Sequence, residues 1–365
     1  MSVCLLLAAT VRCYVGCNVG SPDLQAIHVL ACDTDTGAAR IVQSVRGLRD
    51  TTYFQIDREG RYLYGAMEDR RNGRKGSAIV RFPLTGGRLG DPERLAELPC
   101  EAPCHVALTR DERRVTFAAY GSALAGTVGV DGADLRTVVL PNDAMGPNTR
   151  RQKKAYAHQT FNWRPEGASS DLLGVVDLGC DRIRFFDPLT MAVASVPDIR
   201  FDAGDGPRHA IWSKDGRFLF VVCELGSCVY SFACRDRAFS RVGKWTMLPD
   251  DFREMAADGF TRASWASAIK LTADGKLLMA SNRGYDSIAF FGVGEDGTLK
   301  LRSIAKLAGK FPRDFELLPG ERFMVVGHEK SDDLMVYRFD RAACALTPAC
   351  AAIPAWHPLC FKFEP

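Results

Sequence analysis

Histidines, arginines and carboxylates stand at the ends of short apolar runs in this sequence, and four of the six histidines lie at such positions. A histidine near its ordinary pKa of about 6.5, or a carboxylate, can accept a proton at neutral pH. An arginine beside it can hold a carboxylate or a phosphate with two parallel hydrogen bonds. If the fold brings them together, these residues could bind an anion and transfer a proton. The candidates are Tyr53, Glu68, His105, Tyr120, His158, Gln159, Asp177, Asp181, Arg208, His209, Glu224, Ser267, Asn282, Arg283, Arg313, Asp314, His328 and Glu329.

The elements that must position these residues form a repeat of about fifty residues, the period of propeller blades. Its unit is a short strand, a turn of the Asp-Gly-Arg type and a second apolar strand, which is the signature of a β-hairpin. Further strands follow most of the units, and four short antiparallel strands per repeat are typical of a blade. The clear copies are residues 56–69, 213–225 and 272–283, and the weaker ones are 109–120, 163–179 and 318–329.

The two chain ends supply a seventh unit. Residues 358–363 (PLCFKF) resemble a first strand that lacks a second, and residues 11–18 (VRCYVGCN) resemble a second strand that lacks a first. Pairing them would close a ring and remove its exposed sheet edges. We therefore predict an all-β fold, a single seven-bladed β-propeller domain over residues 1–365. Its first strands line a central channel and begin near Thr52, Cys104, His158, Arg208, Ser267 and Arg313.

Composition and charge exclude several classes of partner. The 365 residues are 47% hydrophobic and 25% charged, as in ordinary globular proteins. A formal charge of +3, spread along the chain, is too small for a nucleic-acid surface. No apolar run approaches the roughly 18 residues of a membrane span, and no basic residue precedes the N-terminal apolar run. We expect a cytoplasmic protein without a membrane or nucleic-acid partner, monomeric or weakly homo-oligomeric.

The cysteines and the glycine-rich turns indicate no metal and no cofactor. The thirteen cysteines fall mostly within apolar runs, so we expect reduced, buried thiols. Their spacings differ from those of zinc sites. The glycine-rich segment GVGEDG (292–297) is a hairpin turn rather than a nucleotide-binding loop.

Seven segments, spread in order over most of the chain, carry a family resemblance. They are PCHVALTRD (103–111), GPNTRRQKKAYAHQT (146–160), DLGCDRIRFFD (177–187), GPRHAIWSKDGRFLFVVCEL (206–225), ASAIKLTADGKLLMASNR (266–283), FPRDFELLPGERFMVVGHEKSDDLMVYRFD (311–340) and the terminal PLCFKF. Together they resemble the lactonase propellers, a family that includes propeller-type 6-phosphogluconolactonases and fungal carboxy-muconate lactonizing enzymes. The resemblance implies hydrolysis of a small, anionic sugar lactone similar to 6-phosphogluconolactone, without metal or cofactor.

The resemblance to the lactonizing branch also implies a catalytic group. It comprises His158, Arg208, Glu224 and Arg283. Either His158 or Glu224 would be the general base, and the two arginines would bind the substrate anion and polarise its carbonyl. Rim positions and the loop before His158 add candidate substrate contacts, namely His105, Gln159, His209, Arg313, Arg151, Lys153 and His328.

Other interpretations stay open at this point. The segment Tyr156-Ala157-His158-Gln159 and the pair His328-Glu329 depart from the family's usual residues, so substrate contacts could differ. One alternative is cyclisation or opening of a carboxylated muconate-type lactone. Another is a non-enzymatic propeller that binds a partner on its rim. A calcium-dependent lactonase is disfavoured, because inward-facing arginines are a poor environment for a dication.

Overall fold

The computed structural model of the chain describes residues 10–69, 76–255 and 264–365. These residues form seven antiparallel sheets, each with four strands in its main order. Blade 1 contains β1 (Thr10–Cys17), β2 (Ile27–Asp33) and β3 (Ala39–Val45). Blade 2 contains β4 (Thr51–Ile56), β5 (Tyr62–Asp69), β6 (Gly76–Thr85), β7 (Arg88–Leu89) and β8 (Glu93–Leu98). Blade 3 contains β9 (Pro103–Leu108), β10 (Arg114–Ala119), β11 (Leu124–Gly129) and β12 (Arg136–Val139).

The remaining strands complete the ring. Blade 4 contains β13 (Ala157–Trp163), β14 (Leu172–Asp177), β15 (Arg182–Phe186) and β16 (Ile199–Arg200); blade 5 contains β17 (Pro207–Trp212), β18 (Phe218–Cys223), β19 (Cys228–Arg235) and β20 (Ala238–Thr246), followed by the helix α1 (Asp250–Met255). Blade 6 contains β21 (Trp265–Leu271), β22 (Leu277–Arg283), β23 (Ser287–Val293) and β24 (Leu299–Lys306); blade 7 contains β25 (Pro312–Leu317), β26 (Phe323–His328), β27 (Asp333–Asp340), β28 (Ala345–Pro348) and β29 (Ile353–Pro354). The last strand, β30 (Pro358–Phe363), belongs to blade 1.

The Asp-Gly turns form the hairpins that the repeat predicts. Between β17 and β18, Gly216 adopts a φ of 72°, a left-handed conformation that glycine takes without steric cost. The carboxylate of Asp215 accepts hydrogen bonds from the Ser213 hydroxyl at 2.7 Å and from the Arg217 amide at 3.1 Å. Such a turn fixes the register of both flanking strands.

The ring closes through the two chain ends, as the sequence predicts. β1 pairs with β30, with Gly16 opposite Cys360. The innermost strands β4, β9, β13, β17, β21, β25 and β30 contact one another in that order, and β30 also contacts β4. The prediction of a seven-bladed all-β propeller is therefore confirmed.

Every innermost strand carries a β-bulge near its first residue. In blade 4, Ala157 pairs with Asp177 and Gln159 pairs with Val176, which leaves His158 as the extra residue. The bulge residues of six blades are Thr52, Cys104, His158, Arg208, Arg313 and Leu359, and in blade 6 Ser267 and Ala268 together lie opposite Ser281. A bulge re-aims the side chain of its extra residue and bends the strand. The same backbone irregularity thus recurs at one end of the channel in all seven blades.

Below the bulges, alternate residues of the innermost strands line the channel, because successive side chains of a strand point to opposite faces. They form two layers. The middle tier consists of Tyr53, His105, Gln159, His209, Ala268, Asp314 and Cys360, and the far tier consists of Gln55, Ala107, Phe161, Ile211, Lys270, Glu316 and Lys362.

Apolar side chains fill the spaces between the blades. Phe161, Phe185 and Tyr230 belong to one cluster between blades 4 and 5. The twelve described cysteines are free thiols, and nine of them are buried. None of the described helices is long and apolar enough to cross a membrane.

Candidate active site

Two repeat positions build a polar cluster at the bulged end of the channel. One is the bulge itself, which supplies His158, Arg208 and Arg313. The other lies on the second strand of each blade, directly after the residue that pairs with the last innermost-strand residue before the bulge. In successive blades it is Asn18, Glu68, Tyr120, Leu178, Glu224, Arg283 and Glu329.

The backbone holds this second position in the same way in several blades. The amide of Tyr120 donates to the carbonyl of Ala102 at 2.9 Å, and the amide of Glu224 donates to Gly206 at 2.7 Å. Ala102 and Gly206 both have positive φ, at 50° and 60°. Backbone held in this region by its surroundings is a common feature of functional sites. The rim of the channel is therefore a repeated scaffold on which individual blades place different side chains.

Glu224 is the centre of the cluster. Its Oε2 accepts hydrogen bonds from Nε of Arg208 at 3.1 Å and forms an ion pair with Nη2 of Arg283 at 2.8 Å. Its Oε1 binds Nη2 of Arg151. Burial would raise the pKa of this carboxyl, but the charges of Arg283, Arg151 and Arg208 outweigh burial and hold the pKa well below its usual range. Glu224 is therefore ionised and fully engaged at neutral pH.

His158 lies beside this charged group with free hydrogen-bonding capacity. Its Nδ1 is buried and has no hydrogen-bond partner among the described residues. The ring is 5.6 Å from that of Tyr120 and 5.2 Å from that of His209, between centroids. Burial, and then the positive charge of Arg208, lower the pKa of His158 well below 6.5. The imidazole is therefore neutral at pH 7 and able to accept a proton.

The arginines give this end of the channel a positive field. Burial, and then the charges of Arg283 and Arg313, lower the pKa of Arg208 to about 9, so its guanidinium stays charged at neutral pH. Arg313 forms an ion pair with Glu329 at 3.3 Å. No hydrogen bond to a described residue is made by Nη2 of Arg208 or Nη1 of Arg283. We use the name rim cluster for Tyr120, Arg151, His158, Arg208, Glu224 and Arg283, which has three guanidiniums and one carboxylate.

Arg151 reaches the rim cluster from a loop that is itself anchored. The buried amide of Gln152 donates to the carbonyl of Leu178 at 3.0 Å, and its oxygen accepts from the amide of Asn148 at 3.1 Å. The Arg151 side chain is 34% exposed, compared with 4% for Glu224. Arg151 therefore stands between the buried charges and solvent, where an entering anion would meet it.

Three of the residues predicted to contact substrate belong to the middle tier. His105 and His209 lie 5.7 Å apart, and Tyr53 is 4.3 Å from His105, between ring centroids. Gln159 donates to the carbonyl of Ala210 at 3.2 Å and accepts from the amide of the same residue. Gln159 thus ties β13 to β17, and these side chains form the floor beneath the rim cluster.

Two predicted contact residues are not brought to the cluster. His328 is fully buried inside blade 7, where its Nδ1 lies 2.6 Å from Asp333 and its Nε2 lies 3.4 Å from the hydroxyl of Tyr337. Lys153 is exposed on the loop, two residues beyond Arg151. No group of three or more His, Cys, Asp or Glu side chains in the described ranges is placed to hold a metal ion.

Two tyrosines lie at the rim. Tyr120 is among the rim candidates of the sequence but not among its catalytic or substrate-contact residues, and Tyr156 is in neither set. Tyr120 and Tyr156 stack with their centroids 4.4 Å apart, and the hydroxyl of Tyr120 accepts from Nη2 of Arg151 at 3.4 Å. Tyr120 occupies the same repeat position as Glu224 and Arg283, and this position is the signal that makes it a rim candidate in the sequence. Tyr156 precedes the strand and has no such signal.

Comparisons with known proteins agree with this architecture. A family model described as "Lactonase, 7-bladed beta-propeller" matches residues 12–363. The chain belongs to the lactonase seven-bladed β-propeller family. A 6-phosphogluconolactonase of Bacillus subtilis is 27% identical over 348 residues, which cover 93% of this chain and 94% of that protein.

Solved structures of similar propellers cover nearly the whole chain. A protein from Lactobacillus plantarum has a TM-score of 0.82 at 25% identity, covering 97% of this chain and 99% of that one. A periplasmic gluconolactonase of Pseudomonas aeruginosa has a TM-score of 0.83 at 24% identity, covering 98% and 99%. Membership of the lactonase propeller family thus confirms the resemblance read from the sequence motifs.

Proposed function

We propose that this protein hydrolyses a small anionic sugar lactone of the 6-phosphogluconolactone type at the rim cluster. The observation that carries the proposal is a neutral His158 with an unpartnered Nδ1, next to a carboxylate that three arginines hold ionised. This arrangement supplies a proton acceptor and an anion-binding field in one place. Family membership and the Bacillus subtilis relative support lactone hydrolysis as the reaction.

In the proposed reaction, His158 takes a proton from a water molecule while the water oxygen adds to the lactone carbonyl carbon. The carbonyl oxygen becomes an oxyanion, which receives hydrogen bonds from the unoccupied N–H groups of Arg208 and Arg283. The bond between the carbonyl carbon and the ring oxygen then breaks, and the imidazolium returns its proton to that oxygen. The product is the open-chain hydroxy acid, and no metal or cofactor takes part.

Glu224 has a supporting role in this scheme rather than that of the base. Both of its oxygens are engaged by guanidiniums, whereas Nδ1 of His158 has no partner among the described residues. Its charge acts on His158 in the opposite direction from Arg208 and raises the pKa of that imidazole. Glu224 therefore orients the arginines and stabilises the imidazolium that forms during the reaction.

The preference for an anionic substrate rests on Arg151 and Arg313, which lie nearer to solvent than Arg208. Guanidiniums bind phosphate and carboxylate groups through paired hydrogen bonds. A phosphate carried by the lactone could dock there while the carbonyl faces Arg208 and Arg283. We also propose that the protein is cytoplasmic and that it is a monomer or a weak homo-oligomer.

A substrate comparison tests the proposal. Rates of hydrolysis of 6-phosphogluconolactone, unphosphorylated gluconolactone and a carboxylated muconolactone are measured with spontaneous hydrolysis subtracted. We expect kcat/KM to be at least about tenfold higher for the phosphorylated lactone than for its unphosphorylated analogue, because one charged hydrogen-bonded contact contributes about 1.5–3 kcal/mol. Absence of turnover on all three would refute lactonase activity, and preference for the muconolactone would reassign the substrate.

A further inference from the structure

The channel has two cavities at the end opposite the rim cluster. One has a volume of about 380 Å³ and the other about 260 Å³. Both are lined by Tyr53, Gln159 and Lys362. We call the larger one the far cavity. Its volume falls within the range of small-molecule sites, which is about 300–1,000 Å³.

The middle tier separates the far cavity from the rim cluster. The rings of Tyr53, His105 and His209 lie 4.3 to 5.7 Å from one another, between centroids, and so pack together across the channel. None of the residues of the rim cluster lines either cavity. A molecule in the far cavity would therefore touch a different set of side chains from a molecule bound at the rim.

The charges around the far cavity are unbalanced. Among the described residues that line it are Lys362, Arg58 and Arg110 and one carboxylate, that of Glu112. That carboxylate accepts a hydrogen bond from the backbone amide of Arg58 at 3.0 Å. Arg110 is ion-paired with Asp171 at 3.4 Å. The remaining cations, Lys362 and Arg58, face one carboxylate, so the lining keeps a net positive charge, which favours an anionic occupant.

Lys362 differs from the other lysine of the far tier. The ammonium of Lys270 lies 2.7 Å from Glu316 and 3.5 Å from Asp314. Within the described ranges, no carboxylate is at ion-pair distance from the ammonium of Lys362, whose neighbour is the ring of Tyr53 with its centroid at 5.7 Å. Burial, and then the charge of Lys270, lower the pKa of Lys362. The charges of Glu316 and Asp314 act on Lys362 only from beyond ion-pair distance. An oxyanion in the far cavity would therefore be a direct partner for this ammonium.

We propose that the far cavity is a second binding site, for a phosphate group carried by inorganic phosphate or by a sugar phosphate. Lys362 would supply the central charge, and Arg58 would bind from the mouth of the cavity. The volume is sufficient for the sugar as well as the phosphate. This site is independent of the lactonase proposal, since it shares no residue with the rim cluster.

Calorimetric titration with inorganic phosphate, and separately with glucose 6-phosphate, tests the second site. We expect the wild-type protein to bind two equivalents of phosphate. Lys362→Met should weaken one of them by at least about tenfold, the effect of a lost charged hydrogen bond. Arg283→Met should weaken the other. Lys276→Met, which removes an exposed lysine outside both sites, should bind like the wild type.

The variants separate the two proposals. If Lys362→Met does not fold, Arg58→Gln at the exposed mouth decides, with several-fold weaker binding expected. A single equivalent of phosphate that depends on Arg283 and is unaffected by Lys362→Met or Arg58→Gln would overturn the far site. Binding of glucose 6-phosphate with the same dependence on Lys362 and higher affinity than phosphate would identify a sugar phosphate as the ligand. Equal or weaker binding would assign the site to free phosphate.

Discussion

Burial acts on the two proton-accepting candidates of the rim cluster in opposite directions. It lowers the pKa of His158 and would raise that of Glu224, but three neighbouring guanidiniums reverse the effect on Glu224. The two residues, which the sequence leaves as equal candidates for the base, are therefore chemically distinct in the structure. His158 has an unpartnered ring nitrogen, and Glu224 has none of its oxygens free.

Replacing Glu224 by glutamine should separate these roles. The change leaves buried guanidiniums without a counter-charge, so we expect a loss of about 3–5 kcal/mol of unfolding free energy. Because the Glu224 charge raises the pKa of His158, the acid limb of the pH–rate profile should move to lower pH. Urea unfolding and kcat/KM between pH 5 and 8 measure both effects. Disappearance of the acid limb would instead identify Glu224 as the base.

The residues of the site could be predicted in part. The resemblance to the lactonizing branch groups His158, Arg208, Glu224 and Arg283, and the structure brings these four residues to one end of the channel. His328 was expected there, but it is the last residue of β26 and faces the blade interior, whereas its neighbour Glu329 occupies the rim position. A shift of one residue along a strand moves a side chain to the opposite face of the sheet. The sequence locates the end of a strand less accurately than one residue.

At the scale of the strands, the bulges explain why adjacent residues of an innermost strand occupy different parts of the channel. In β13 and β17 the bulge residues His158 and Arg208 join the rim cluster, and the next residues, Gln159 and His209, line the channel below. Regular alternation would have sent these neighbours to opposite faces. Sequence patterns locate the strand starts near the bulges, but they do not show the bulges themselves.

Gln159→Leu tests the assignment of that residue to the scaffold. The substitution leaves the amide and the carbonyl of Ala210 without partners between two innermost strands, which should cost about 1–3 kcal/mol. Thermal unfolding should show a lower Tm, while KM for the lactone stays unchanged. An unchanged Tm with a raised KM would show that Gln159 contacts substrate instead.

At the scale of the whole molecule, β30 closes the ring by joining the chain ends. It pairs with β1 and contacts the innermost strands of both neighbouring blades. The count of seven could be read from the sequence because six hairpin copies mark six blades and the two chain ends supply the seventh. The short outer strands, such as β16 with two residues, leave no periodic pattern and could not be predicted.

Removal of residues 358–365 should therefore open the propeller. We expect loss of the cooperative thermal transition and aggregation, since two sheet edges become exposed. Circular dichroism melting and light scattering measure the outcome. Removal of Pro365 alone, which lies after β30, is the matched control and should leave Tm nearly unchanged. A truncated protein that melts within a few degrees of the full chain would contradict closure as the source of stability.

The buried histidines of the channel link stability to pH. Burial lowers the pKa of His105, His158 and His209 well below 6.5, so below that pH the unfolded chain binds protons that the folded chain does not. Unfolding free energy should fall as pH drops from about 6.5, by up to about 1.4 kcal/mol per pH unit for each histidine. Urea unfolding at pH 7.5, 6.5 and 5.5 measures this slope, and constant or rising stability toward pH 5.5 would contradict it.

The most direct test of the account is hydrolysis of 6-phosphogluconolactone by His158→Ala, compared with wild type and with His28→Asn, which changes a buried histidine of blade 1. Loss of a general base should lower kcat by about 100-fold or more. We predict that His158→Ala shows this loss and His28→Asn does not. We also predict that the acid limb of the wild-type pH–rate profile lies below pH 6.5. Wild-type turnover in His158→Ala would contradict the proposed chemistry of the rim cluster.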